Sequence, residues 1–153
     1  MRGYKAFQEG LTNRYGYTYE LGKKYVIDGE LKWSENGFHF CSRPEDTLRY
    51  INGFQDGYTI TEVEGSGEIT IHEDEYYGFY NMYVSSEMEI LRIVPREEVF
   101  NMVINNFFAT KRLIGLSKLT EYEKEEILKK HPLLEDAINY YQSDEFILKR
   151  KRD

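Results

Sequence analysis

The sequence predicts an α+β fold: a curved, mostly antiparallel β-sheet core with one short helix, followed by a C-terminal group of about three helices. Two observations carry that prediction. Up to Val94 the chain consists of short aromatic and β-branched stretches divided by Gly, Asn and Asp, the pattern of strands joined by tight turns. From Pro95 onward apolar residues recur three and four apart, the pattern of helices. The expected division is a β-rich core domain at 1–95 and a helical extension at 96–153, packed on that core or on a partner.

Tyr4-Lys5-Ala6-Phe7 reads as a first strand, ended by Gly10, and Arg14-Tyr15-Gly16-Tyr17-Thr18-Tyr19 as a second. Leu21 to Ile27 continues extended into Asp28-Gly29, residues that tolerate the positive φ of hairpin turns. After Leu31-Lys32-Trp33, a turn at Asn36-Gly37 leads into Phe38-His39-Phe40-Cys41. Ser42-Arg43-Pro44-Glu45 resembles a capping box, with Ser42 as cap and a short helix running towards Asn52-Gly53. Tyr58 to Glu64 alternates as a half-buried strand should, and Gly65-Ser66-Gly67 suggests a bulge before Glu68 to His72. An exposed acidic loop is expected around Glu73-Asp74-Glu75. Phe79 to Val84 and Met88 to Val94 then complete the sheet.

Pro95 followed by Glu97 and Glu98 favours a helix start, and Val99, Phe100, Val103, Ile104 and Phe107 extend it to about Thr110. Thr120-Glu121-Tyr122-Glu123 is a second capping box, opening a helix through about Lys130. Pro132 begins the third, with Leu134, Ala137, Ile138 and Tyr141 on one face. The closing Lys149-Arg150-Lys151-Arg152 reads as a frayed, solvated end.

Charge and composition narrow the function classes. Residues 1–98 hold ten Lys and Arg against eighteen Asp and Glu, and an acidic surface of that kind repels nucleic-acid phosphates. It suits instead a basic groove on another protein. Fourteen Tyr, nine Phe and one Trp supply both core and interface material. The single cysteine, Cys41, cannot form an internal disulfide, and no apolar run is long enough to span a membrane, so the expected location is cytoplasmic.

Sites for chemistry are sparse. His39, His72 and His131 are widely separated and show no metal-ligand spacing, so no metal is expected. Cys41 and His39 share a strand face; a buried small thiol is the expectation there, since a nucleophile–base pair would need local geometry that departs from a regular strand and an oxyanion donor nearby. Glu62 and Glu64 also share a face, about 6.5–7 Å apart by strand rise, and are the candidate paired carboxylates.

Gly3-Tyr4-Lys5-Ala6-Phe7, the stretch from Tyr19 to Tyr25, Asn36-Gly37-Phe38-His39-Phe40-Cys41 and Glu62-Val63-Glu64 together resemble a domain of unknown function found in small bacteriophage and bacterial proteins. The resemblance covers roughly residues 3–95 and is most specific at Gly37 to Cys41. Where many members carry a further cysteine just before that block, this chain reads Leu31-Lys32-Trp33-Ser34-Glu35, so paired-cysteine chemistry is not carried over. The order of strands and helix is also similar to the ADP-ribosyltransferase core. That resemblance implies Lys5 at the first-motif position, His39 and Tyr50 lining the pocket, Glu62 or Glu64 as the catalytic carboxylate, and NAD as cofactor. Lys5 departs from the His or Arg that transferases carry there.

The leading expectation is a phage or prophage-type accessory protein that acts by protein–protein binding, without a cofactor. Its partner would be a host defence or nucleic-acid-processing protein with a basic groove. The alternative is an ADP-ribosyltransferase-like enzyme.

Overall fold

The computed structural model describes residues 1–8, 10–13, 15–32, 35–51, 58–72 and 82–152. Among the described residues, five strands form one antiparallel sheet: β1 Arg2–Phe7, β2 Lys24–Val26, β3 Phe38–Cys41, β4 Thr59–His72 and β5 Met82–Val94. The sheet order is β2-β5-β3-β1-β4, and β4 also pairs with β5. Pairing therefore runs in a closed circuit through β5, β3, β1 and β4, with β2 attached outside along β5.

The β4–β5 hairpin is the frame of this circuit, paired from Ile60 opposite Val94 to His72 opposite Met82. Its register shifts twice, between Glu62 and Val63 and between Ser66 and Ile69. The second shift falls at the expected Gly-Ser-Gly bulge. Gly67 has φ +73°, and a side chain there would meet the Ser86 hydroxyl, which instead accepts a bond from the Glu68 N–H at 2.8 Å. Shifted register bends the long hairpin, and the bend lets distant edges meet through β1 and β3.

Phe7, Phe40, Val63, Met88 and Ile90 make one buried cluster on these strands. The Phe40 ring is its centre. It lies so close to Gly3 on β1 and Gly65 on β4 that a Cβ on either would come within 2.5 Å of it. A second, larger cluster joins Leu48, Ile51, Ile60 and Val94 to the buried faces of the C-terminal helices. The helices and the sheet thus share apolar core.

The short helix α1, Pro44–Thr47, runs on into a single 3₁₀ turn, Leu48–Tyr50. Its N-cap is Arg43, not Ser42 as the capping-box reading expects. The reason is steric: a Ser42 cap would put Arg43 in the helix, but the residue before a proline is driven to extended geometry. Arg43 accordingly has φ −124° and ψ 140°, and binds Asp46 through Nε at 3.0 Å.

The helical third comprises α2 Arg96–Val103, α3 Phe107–Ile114, α4 Glu121–Lys130, a 3₁₀ turn Pro132–Leu134, α5 Glu135–Tyr141 and α6 Asp144–Arg152. The helix expected to run unbroken to Thr110 is divided at Asn106. Asn106 Oδ1 caps α3 by accepting from the Ala109 N–H at 2.9 Å, a role Asn fills better than a mid-helix one. The Thr120–Glu123 capping box is present in both directions. The basic tail is helical in α6 rather than frayed, with Ser143 Oγ accepting from Phe146 N and Ile147 buried.

Of the second expected strand, the described residues Tyr15 to Tyr19 do not form one. Tyr15, Gly16, Tyr17, Thr18 and Tyr19 belong to a loop pinned by Asn13, whose Oδ1 accepts from the N–H groups of Tyr15 and Tyr17 at 2.9 and 3.0 Å. That local bonding competes with ladder formation. Arg14, Trp33, the expected helix end at Asn52-Gly53, the acidic loop at Glu73-Asp74-Glu75 and Phe79 to Asn81 lie outside the described residues.

Candidate functional site

β1 and β3 share one paired position, Tyr4 opposite Cys41. Beyond it they diverge, and a cleft of about 440 Å³ opens between residues 4–8 and 37–41. Thr47, Tyr50 and Met82 line it near the paired position; Thr12, Asn13, Tyr15, Tyr19 and Glu35 line it from the loops. Gly37 begins the β3 wall at φ +147°, where a Cβ would strike Val84 and Leu31. Only glycine fits that corner, so the Asn36-Gly37 turn is required for the block that follows.

Three of the sequence candidates meet here. Lys5, His39 and Tyr50 all line the cleft. Lys5 Nζ donates to the His39 backbone carbonyl at 2.6 Å and lies 5.9 Å from the Phe7 ring centre. Tyr50 is half exposed and its hydroxyl donates to Met82 Sδ at 3.4 Å. Burial, then the neighbouring Cys41, raise the Tyr50 pKa. Cys41 lines the cleft as well, but burial, with Asp46 adding to it, pushes its thiol up to about 12. At neutral pH it is a protonated, weakly nucleophilic group.

Glu62 and Glu64 do not line this cleft. On β4 they stand opposite Tyr4 and Arg2, and both are held by cations. Glu62 Oε2 accepts from Arg92 Nε at 2.7 Å, while Arg92 also forms a forked pair with Glu98. Glu64 is 3.2 Å from the amino terminus of Met1, and Arg2 lies 3.6 Å from Glu62 and 3.7 Å from Glu64. The alternation that puts the two carboxylates on one face also puts them on a face bearing Arg2 and Arg92. Among the described residues, no group of three His, Cys, Asp or Glu is placed to hold a metal ion.

Aromatic rings gather on the loop side of the cleft. Tyr19 packs against Tyr17 and Tyr25, each at 4.9 Å between ring centres, and against Phe7 and Phe38 at 5.9 and 6.4 Å. Tyr15 is 77% exposed and Tyr17 51%. No motif singles out Asn13, Tyr15 or Tyr19 as site residues. The one local signal is Asn13, a turn former directly ahead of the tyrosine run.

No helix among the described residues is long and apolar enough to cross a membrane. Comparison with curated proteins and with solved structures gives no match. The family described as a domain of unknown function (DUF7666) matches residues 1–100, from β1 into α2, and the chain belongs to that family.

Proposed function

We propose that this chain is a binding protein of the phage or prophage accessory type, acting in the host cytoplasm by docking on another protein. The observation that carries this reading is the separation of parts at the cleft. Its rim bears exposed tyrosines, whereas Glu62 and Glu64 lie elsewhere and are ion-paired. Tyrosine offers rigid apolar area and a hydroxyl at low entropic cost, which suits an interface. The acidic surplus of residues 1–98 favours encounter with a basic groove, such as that of a host defence or nucleic-acid-processing protein. Inhibition would follow from occupying that groove. The test is capture from bacterial host lysate at low and high salt, with Tyr15→Ala and Tyr17→Ala as variants. A partner retained at low salt and lost with the tyrosines supports the reading; no enriched partner at low salt counts against it.

A second reading is an ADP-ribosyltransferase-like enzyme using NAD, favoured by the presence of Lys5, His39 and Tyr50 in one cleft. It requires a carboxylate beside the reacting sugar, and Glu62 and Glu64 are engaged outside that cleft. NAD consumption abolished by Glu62→Gln or Glu64→Gln would restore it.

A further inference from the structure

We infer that the outer edge of β2 is a docking site, where a basic, extended segment of a partner protein adds to the sheet as a further strand. This deepens the binding reading and rests on it. Among the described residues, β2 ends the strand order and no strand pairs with its far side. The Ile27 N–H donates to the Ser86 carbonyl at 3.0 Å, in the register that sets Tyr25 opposite Met88. Backbone groups of an antiparallel strand face alternate sides, so Tyr25 and Ile27 turn towards β5 while Lys24 and Val26 turn away from it. The strand thus offers the N–H and C=O groups of Lys24 and Val26 to an incoming chain. Main-chain bonds supply affinity in this mode, and side-chain fit supplies selectivity.

The side chains beside this edge define the occupant. Val26 is 63% exposed, and on the other face of the strand Tyr17 stands 6.1 Å from Tyr25 between ring centres. An added strand would lay apolar side chains beside Val26 on one face and beside the two tyrosines on the other. Lysines on a short edge strand ordinarily deter pairing, but here carboxylates offset them. Lys23 lies 3.8 Å from Glu20 and Lys24 3.1 Å from Glu87. Glu89 stands opposite Lys24, and Asp28 and Glu30 follow the strand in exposed positions, which leaves the edge acidic. A second copy of the chain would bring the same acidic edge against it. A segment bearing Lys or Arg between its apolar residues meets it with opposite charge.

A random-peptide display library, screened against the full chain, is the probe, and hydrogen exchange of the backbone amides is the readout. In the free protein the Lys24 and Val26 amides should exchange fast, and those of Tyr25 and Ile27 slowly. Selected peptides should be basic, weaken as salt rises, and slow exchange at Lys24 and Val26 about tenfold or more. N-methylation at alternate peptide positions should weaken binding about tenfold or more, and methylation at the intervening positions should do little. Val26→Pro removes one outward donor and no bond to β5, so it should weaken binding while Ile27 stays protected. Should that variant fail to fold, the methylation series on the unaltered protein carries the test. Slow exchange at Lys24 and Val26 in the free monomer would show the edge already covered and overturn the proposal. Peptides without a preference for Lys or Arg, or indifferent to N-methylation, overturn it as well. Concentration-dependent self-association that protects the same amides assigns the edge to a second copy and also overturns it. Peptides that map elsewhere overturn the edge while leaving the binding reading intact. A library with no binders overturns it too, and the lysate capture separately decides whether any partner exists.

Discussion

Replacing Gly65 by Ala isolates the packing at the centre of the sheet. Gly65 does not occupy the left-handed region, so alanine meets no backbone strain and would gain slightly by restricting the unfolded chain. Against that, its Cβ would lie 2.5 Å from Phe40 Cε1 and 2.6 Å from Cζ, inside contact distance. The ring also packs on Tyr83, with centres 5.6 Å apart and planes 21° apart, so it cannot withdraw freely. Overpacking of this kind costs about 1–3 kcal/mol, and a net loss of about 2 kcal/mol is expected. Leucine at position 40 lacks the two atoms that clash. In a Phe40→Leu background, itself about 1–2 kcal/mol less stable, Gly65→Ala should be close to neutral. The contact with Ser85 Oγ at 3.1 Å is present in both backgrounds and cancels in the cycle. Gly3→Ala is the control: it strikes Phe40 Cδ2 at 2.5 Å and the Cys41 carbonyl at 2.6 Å, neither of which leucine removes. Urea unfolding of the four proteins in the cycle and of the control pair measures this. A coupling below about 0.5 kcal/mol between positions 65 and 40 would show that the ring does not fill the space beside Gly65.

Gln142 is buried and bonds Leu119 N–H at 2.8 Å, Ile114 O at 2.6 Å and Ser117 O at 2.9 Å. Gln142→Leu orphans all three groups, so a loss of about 3 kcal/mol or more is expected in denaturant titration. Glu123 is pushed up by burial, but Arg96 and the Thr120 N–H outweigh this and hold its carboxyl below the usual carboxylate range. Its stabilising effect is thus complete above the unfolded-state pKa of about 4.3 and is lost as pH falls through the lower folded value. The stability gap between wild type and Glu123→Gln should shrink as pH drops through that window; a gap independent of pH would refute the assignment. Cys41, buried with its thiol raised to about 12, should resist a thiol reagent at pH 7 and react once the chain is unfolded in urea. Rapid labelling of the folded protein would contradict that environment.

What the sequence by itself determined is what neighbouring residues decide among themselves. Thr120 and Glu123 are three apart, enough to satisfy each other's backbone donors, so that helix start is written locally. Gly67 supplies a positive φ, so the bulge is local too. Local reading failed where two nearby rules compete: Pro44 forbids the helical Arg43 that a Ser42 cap needs, and Asn106 interrupts an apolar helical pattern. The tertiary structure alone decided the site. Lys5 and His39 meet because β1 and β3 diverge after a single pair, which depends on how far the β4–β5 hairpin bends. Glu62 finds Arg92 across that hairpin, thirty residues along the chain, through a register that a shift at Val63 resets. Register and closure arise from the summed packing of distant strands, and no spacing within one segment carries them.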